Sequence, residues 1–233
     1  MALFFVLTQS IYGMRNKEVR LYSPKHNTTM KKIFLCSSFA DVAPLLPESV
    51  PTSLSGKTVA FIPTASIHEE YTQYVEDGKN ALVLLGLVVR ELEITQCEKK
   101  EIVKVLNDCD CIYISGGNTF YLLQELRKTG VDELIKQHIL TGKLYIGESA
   151  GAVITAPNIE YVCLMDDPNE GKELTNFKAL NVVDFSTVPH LWCFPFEKAT
   201  KEVISRYEES LTLKAISNTQ ALRVDGEGVK ILE

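Results

Sequence analysis

Leu144-Tyr145-Ile146-Gly147-Glu148-Ser149-Ala150-Gly151-Ala152-Val153-Ile154 reads as a buried strand, a sharp turn and the opening of a helix. A Gly-x-Ser-x-Gly pattern by itself is weak, because short patterns recur by chance. Set between a strand and a helix, it describes a nucleophile elbow. The tight turn forces the serine into a strained backbone, and small flanking residues avoid clashes there. The hydroxyl then projects above the sheet, beside helix N–H groups that can meet a developing oxyanion. Ser149 is therefore the candidate nucleophile.

Working outward, short β-branched and apolar runs alternate with helix-period segments, which is the α/β pattern. Strands are expected at Lys32–Cys36, Thr58–Ile62, Val88–Leu92, Cys111–Ser115, Leu144–Ile146 and Val182–Val188. Several are apolar almost throughout, as in a parallel sheet buried on both faces. Helices are expected over Glu69 to Leu85, from Asn118 through Leu126, over Val131 to Leu140, and over Pro195 to Tyr207. The tail from Leu213 to Leu232 reads as short antiparallel strands at the sheet edge. At 233 residues the chain suits one α/β domain, expected to run over residues 30–233.

A second glycine turn, Ile114-Ser115-Gly116-Gly117-Asn118-Thr119-Phe120, also follows a strand and opens a helix. It fits neither GxGxxG nor GxxxxGK[ST], so dinucleotide and Walker-type sites are disfavoured. Its functional reading is half of an oxyanion hole, with the Gly117 N–H paired to that of Ala150. Asn118 can cap the helix and stands as a candidate substrate contact.

A serine nucleophile needs a base, and there are four histidines. His26 lies in the first 29 residues and His138 on the apolar stripe of a helix. His68 sits in a loop after a strand. His190 follows the apolar run ending at Val188-Pro189, which carries it to the loop face where the elbow opens. His190 is the favoured base.

The net charge of -6 and the lack of basic runs argue against nucleic acid as a partner. The six cysteines have irregular spacing, with a CxC at Cys109 and Cys111 that is not a zinc pattern. They are expected to be free thiols in a reducing, cytoplasmic setting. Residues 1–29 form an extension of unassigned role. Its apolar start, Ala2 to Leu7, lacks the features of a signal peptide and is too short to span a membrane.

Gly116-Gly117-Asn118-Thr119-Phe120-x-Leu122-Leu123, then Tyr145-Ile146-Gly147-x-Ser149-Ala150-Gly151-Ala152, then Pro189-His190, in this order, resembles the peptidase E family of aspartyl dipeptidases. The resemblance runs from Met30 to the C-terminus. It implies the class I glutamine amidotransferase-like sandwich: three layers around a mostly parallel sheet. It also implies hydrolysis of short peptides by Ser149 and His190 without metal or cofactor, in a monomer or homodimer. For the third catalytic member it offers Asp166 or Asp167 after the elbow, or the position of a late glutamate, where Asn218 stands here. An arginine that binds the substrate's acidic side chain in that family would fall near Lys201. Glu148, replacing a bulky or neutral residue, would bring negative charge toward the oxyanion. Aspartyl specificity is thus in doubt. The alternatives are a cyanophycinase-like or other small-amide hydrolase, and a catalytically weakened binding homologue.

Overall fold

The structure, a computed structural model, describes residues 31–226 and 228–233; the extension over residues 1–29, with His26, lies outside them. In chain order the elements are β1 (Lys32–Cys36), α1 (Phe39–Val42), α2 (Leu46–Ser49), β2 (Thr58–Ile62), α3 (Gln73–Leu84), β3 (Val88–Glu91) and α4 (Lys99–Asp108). There follow β4 (Cys111–Ile114), α5 (Thr119–Thr129), α6 (Val131–Leu140), β5 (Leu144–Glu148) and α7 (Ala150–Val153). The last are β6 (Ser186–Val188), α8 (Glu197–Tyr207), β7 (Leu213–Ala215), β8 (Ala221–Asp225) and β9 (Gly228–Leu232).

Seven strands form the central sheet in the order β3-β2-β4-β5-β1-β8-β9. The first five run parallel, and β8 and β9 join antiparallel beyond β1. The period of two along the strands builds the two outer layers. On β1, Ile33 and Leu35 pack with Ile102, Leu126 and Ile135 of α4, α5 and α6. Phe34 and Cys36 face the other way, against Phe39, Val42 and Leu82 of α1 and α3. This is the expected three-layer sandwich with a mostly parallel sheet.

The expected strand Val182–Val188 is corrected: only Ser186–Val188 is strand, and it pairs in parallel with β7 in a separate two-stranded sheet. Its apolar residues are core residues all the same, since Leu180, Val182, Val183 and Phe185 are buried in the main cluster. Their backbone, however, bonds to the end of the elbow helix. The Leu180 N–H donates to Ile154 O, and those of Val182 and Val183 donate to Thr155 O. Likewise β7 leaves the expected antiparallel edge, which β8 and β9 alone supply. The helix α4, with Ile102 and Leu106 buried on one face, was not anticipated.

All six cysteines are free, and Cys36, Cys109 and Cys111 are buried. No helix among the described residues is long and apolar enough to cross a membrane.

The parallel strands β4, β5 and β1 end side by side, and the loops leaving their carboxyl ends carry Gly116-Gly117, Ser149 and Ser37. An open α/β sheet places its ligand crevice at such carboxyl ends.

Candidate active site

Ser149 stands between β5 and α7 with φ 46° and ψ -105°, a backbone that few non-glycine residues adopt. The residues two positions to either side of it must be glycine on steric grounds. A Cβ at Gly147 would lie 2.4 Å from Gly151 O, and one at Gly151 would lie 2.3 Å from Ile114 O. The strain is held by hydrogen bonds. The Ser149 N–H donates to Cys36 O at 2.9 Å, and its carbonyl accepts from Ala152 and Val153 at 2.8 and 2.9 Å.

His190 meets this serine from the loop after β6. Ser149 Oγ lies 3.0 Å from His190 Nε2, and His190 Nδ1 lies 2.8 Å from Asn218 Oδ1. With Nδ1–H donating to the amide oxygen, Nε2 keeps its lone pair for the serine hydroxyl. The histidine is fixed further by a ring contact and by its backbone. Its ring stacks on Phe196 with centroids 4.6 Å apart, and the backbone N–H of His190 donates to Ser37 Oγ at 2.9 Å. Ser37 Oγ in turn donates to Ile216 O at 3.1 Å. Burial pulls the imidazole below its ordinary pKa, while the bond from Asn218 opposes that. The outcome is a ring kept neutral and oriented, which is the state a general base requires.

Two backbone N–H groups flank the serine. Gly117 has φ 131°, and a Cβ there would fall 2.1 Å from Ala65 O, so the turn accepts no side chain. Ala150 is the first residue of α7. Neither N–H donates to a protein acceptor among the described residues. Such a pair, one from a glycine turn and one following the nucleophile, can hold an oxyanion.

The sequence profile of Peptidase family S51 matches residues 34–232. The chain belongs to that family. It is a peptidase, a hydrolase of peptide bonds. An uncharacterized peptidase of Listeria innocua is 53% identical over 200 residues, 86% of this chain and 95% of that one. Peptidase E of Shewanella oneidensis is 32% identical over 170 residues, 70% of this chain and 67% of its own. A crystal structure of a candidate peptidase E protein from Listeria monocytogenes EGD-e matches with a TM-score of 0.83 and 51% identity. It covers 88% of this chain and 98% of that one.

In this S51 peptidase the remaining expected site residues separate into those at the cavity and those away from it. Ser149, His190, Asn218, Gly117 and Asp166 line one cavity of about 480 Å³. Asp166 is not against the histidine: its Oδ2 accepts from the Thr119 N–H at 2.9 Å and from the Thr119 hydroxyl. Asp167 caps the turn at Pro168–Gly171, accepting from Asn169 at 2.9 and 2.8 Å. The group facing His190 is Asn218. Asn118 is a helix cap that does not line the cavity. Its Oδ1 accepts from Phe120 N and Tyr121 N at 2.9 Å, and its amide nitrogen donates to Asp167 O at 3.0 Å. Lys201 is elsewhere too, with Nζ 5.1 Å from the centre of the exposed Trp192 ring.

The other described histidines are occupied away from Ser149. His68 Nδ1 lies 3.2 Å from Glu170 Oε2 at the surface. His138 is buried with Nε2 3.1 Å from Leu144 O, and burial pushes its pKa down to about 4.

Glu148 corrects another expectation, because its carboxylate is committed to the scaffold. Oε1 accepts from the Phe39 N–H at 2.7 Å and Oε2 from the Tyr113 hydroxyl at 2.6 Å. Burial raises its pKa to about 7, against the opposing pull of those bonds and of the Gly116 N–H. Much of its charge is therefore absent at neutral pH.

Sequence reasoning missed Ser37, Phe196 and Tyr74. Tyr74 donates to Glu69 at 2.5 Å and lies 3.2 Å from the place a Gly116 Cβ would take. A serine just past the end of β1 was the one available signal for Ser37, since parallel strand ends converge on the crevice.

Proposed function

We propose that this chain is a serine exopeptidase acting on short peptides. Ser149 Oγ attacks the scissile carbonyl while His190 Nε2 takes its proton and then delivers it to the leaving amine. The N–H groups of Gly117 and Ala150 receive the tetrahedral oxyanion, and water reverses the sequence to free the acyl group. Asn218 holds the histidine in the required tautomer but brings no charge to offset the imidazolium. One observation carries the reading: the unbroken chain from Ser149 to His190 at 3.0 Å and from His190 to Asn218 at 2.8 Å. The cavity volume of about 480 Å³ suits a di- or tripeptide better than a folded chain.

A fluorophosphonate probe tests the mechanism, because only an activated hydroxyl reacts with it. The pure protein should be labelled at Ser149, and labelling should vanish in Ser149→Ala and fall strongly in His190→Ala. Dipeptide turnover should drop on the order of 10³-fold or more in each. Full turnover in Ser149→Ala protein would refute the assignment.

A further inference from the structure

We propose that Asp166 is the receptor for a substrate ammonium group in the Ser149 cavity, and that this cavity takes neutral or cationic first residues in preference to acidic ones. The proposal deepens the serine-exopeptidase reading and rests on it. Asp166 lines the same cavity as Ser149 and His190. Its carboxylate is held rigidly through Oδ2 by the backbone and hydroxyl of Thr119, two residues beyond the oxyanion candidate Gly117. The other oxygen, Oδ1, makes no hydrogen bond to protein among the described residues and is left for a ligand. A fixed carboxylate with one free oxygen beside a nucleophile is a ready acceptor for N–H donors.

The charges around it point the same way. No lysine or arginine lines the cavity among the described residues, while Glu69, Glu70 and Glu148 do. Burial and the nearby Glu69 raise the Asp166 carboxyl to about 6, so at neutral pH it is largely an anion without a protein counter-ion. A second negative charge from an aspartyl substrate would meet repulsion there, and Lys201, the one candidate to offset it, is away from the cavity. A substrate ammonium would instead supply the missing counter-charge in a partly desolvated site, where charge-assisted bonds are strongest. Part of the wall is apolar or aromatic, with Tyr71, Val162, Met165 and Phe194. It accommodates a neutral side chain or the stem of a lysine.

The ammonium could come from the first residue's α-amino group or from a lysyl side chain, and kinetics separate the two. Wild type and Asp166→Asn are compared on Leu-, norleucyl-, Lys- and Asp-dipeptides and on their N-acetyl forms, with fluorophosphonate labelling measured in parallel. Wild type should prefer Leu- or Lys- over Asp-dipeptides. Asp166→Asn should raise KM about tenfold or more for free-amino substrates. The probe carries no ammonium, so labelling should change little.

A penalty shared by Leu- and Lys-dipeptides assigns the α-ammonium; one confined to Lys against norleucyl assigns the side chain. The proposal is overturned by preference for Asp-dipeptides, by an unchanged KM, or by an equal penalty on the N-acetyl Leu and norleucyl forms, which carry no ammonium. If Asp166→Asn misfolds, the wild-type panel still decides through its ranking of Asp against Leu and Lys. Failure of wild type to label removes the serine reading, and this proposal with it. Labelling with the wrong ranking overturns this proposal alone.

Discussion

Asn218 is the residue on which the rate should turn. An amide at 2.8 Å orients His190 but leaves the imidazolium formed during attack without a compensating charge. Asn218→Asp keeps the reach and adds that charge, so kcat/KM at its plateau should rise, by roughly tenfold. The pH profile should move with it. A base works only when unprotonated, and burial holds His190 below the ordinary imidazole value. Activity in wild type should therefore be gained as pH rises through a midpoint below about 6.5. An aspartate partner favours the protonated ring and should carry that midpoint upward. Asp166 and its neighbour Glu69 are common to both proteins, so the displacement between the profiles belongs to His190. A variant profile that coincides with wild type, with no gain in rate, would mean that charge at 218 does not reach the imidazole. The sequence named Asn218 as a candidate partner only through the family resemblance, beside Asp166 and Asp167. Only the fold separates them, with Asp166 against Thr119, Asp167 capping its own turn and Asn218 against His190.

At the level of elements, Glu148 ties three together: the end of β5, the first N–H of α1 at Phe39, and β4 through Tyr113. Its folded pKa of about 7 stands above the ordinary glutamate value of 4.5. A carboxyl with a raised folded value binds its proton more tightly in the native state. It thus favours folding at low pH, and that contribution is lost as pH rises from about 4.5 to about 7. Against Glu148→Gln, wild type should lose up to about 3 kcal/mol across that window, read from paired denaturant titrations. Parallel curves for the two proteins would show that Glu148 is ionised throughout. The elements were read well from sequence where one side-chain period governed them, as in β1 with Ile33 and Leu35 opposed to Phe34 and Cys36. Reading failed over Val182–Val188, where apolar content marked burial but the hydrogen bonds went to Thr155 and Ile154 instead of a neighbouring strand. Burial pattern reports which residues are inside; pairing is a property of partners elsewhere in the chain.

Across the whole molecule, the site is drawn from distant parts of the chain. Ser149 stands mid-chain, Ser37 after the first described strand, and Ile216 and Asn218 just before β8. The Ser37 bonds to His190 and Ile216 span 153 and 179 residues. Contacts of such separation close late, because the loop entropy they cost must be met before they form. On refolding from denaturant, far-UV circular dichroism should recover ahead of fluorophosphonate reactivity. Simultaneous recovery of both signals would show the site assembling with the first helices. The Ser37 bridge has a consequence for the protein's birth in the cell. A nascent chain exposes the elbow and the glycine turn long before the segment with Ile216 and Asn218 has left the ribosome. Synthesis thus carries its own delay, and the hydrolase stays silent until the segment through Asn218 has emerged.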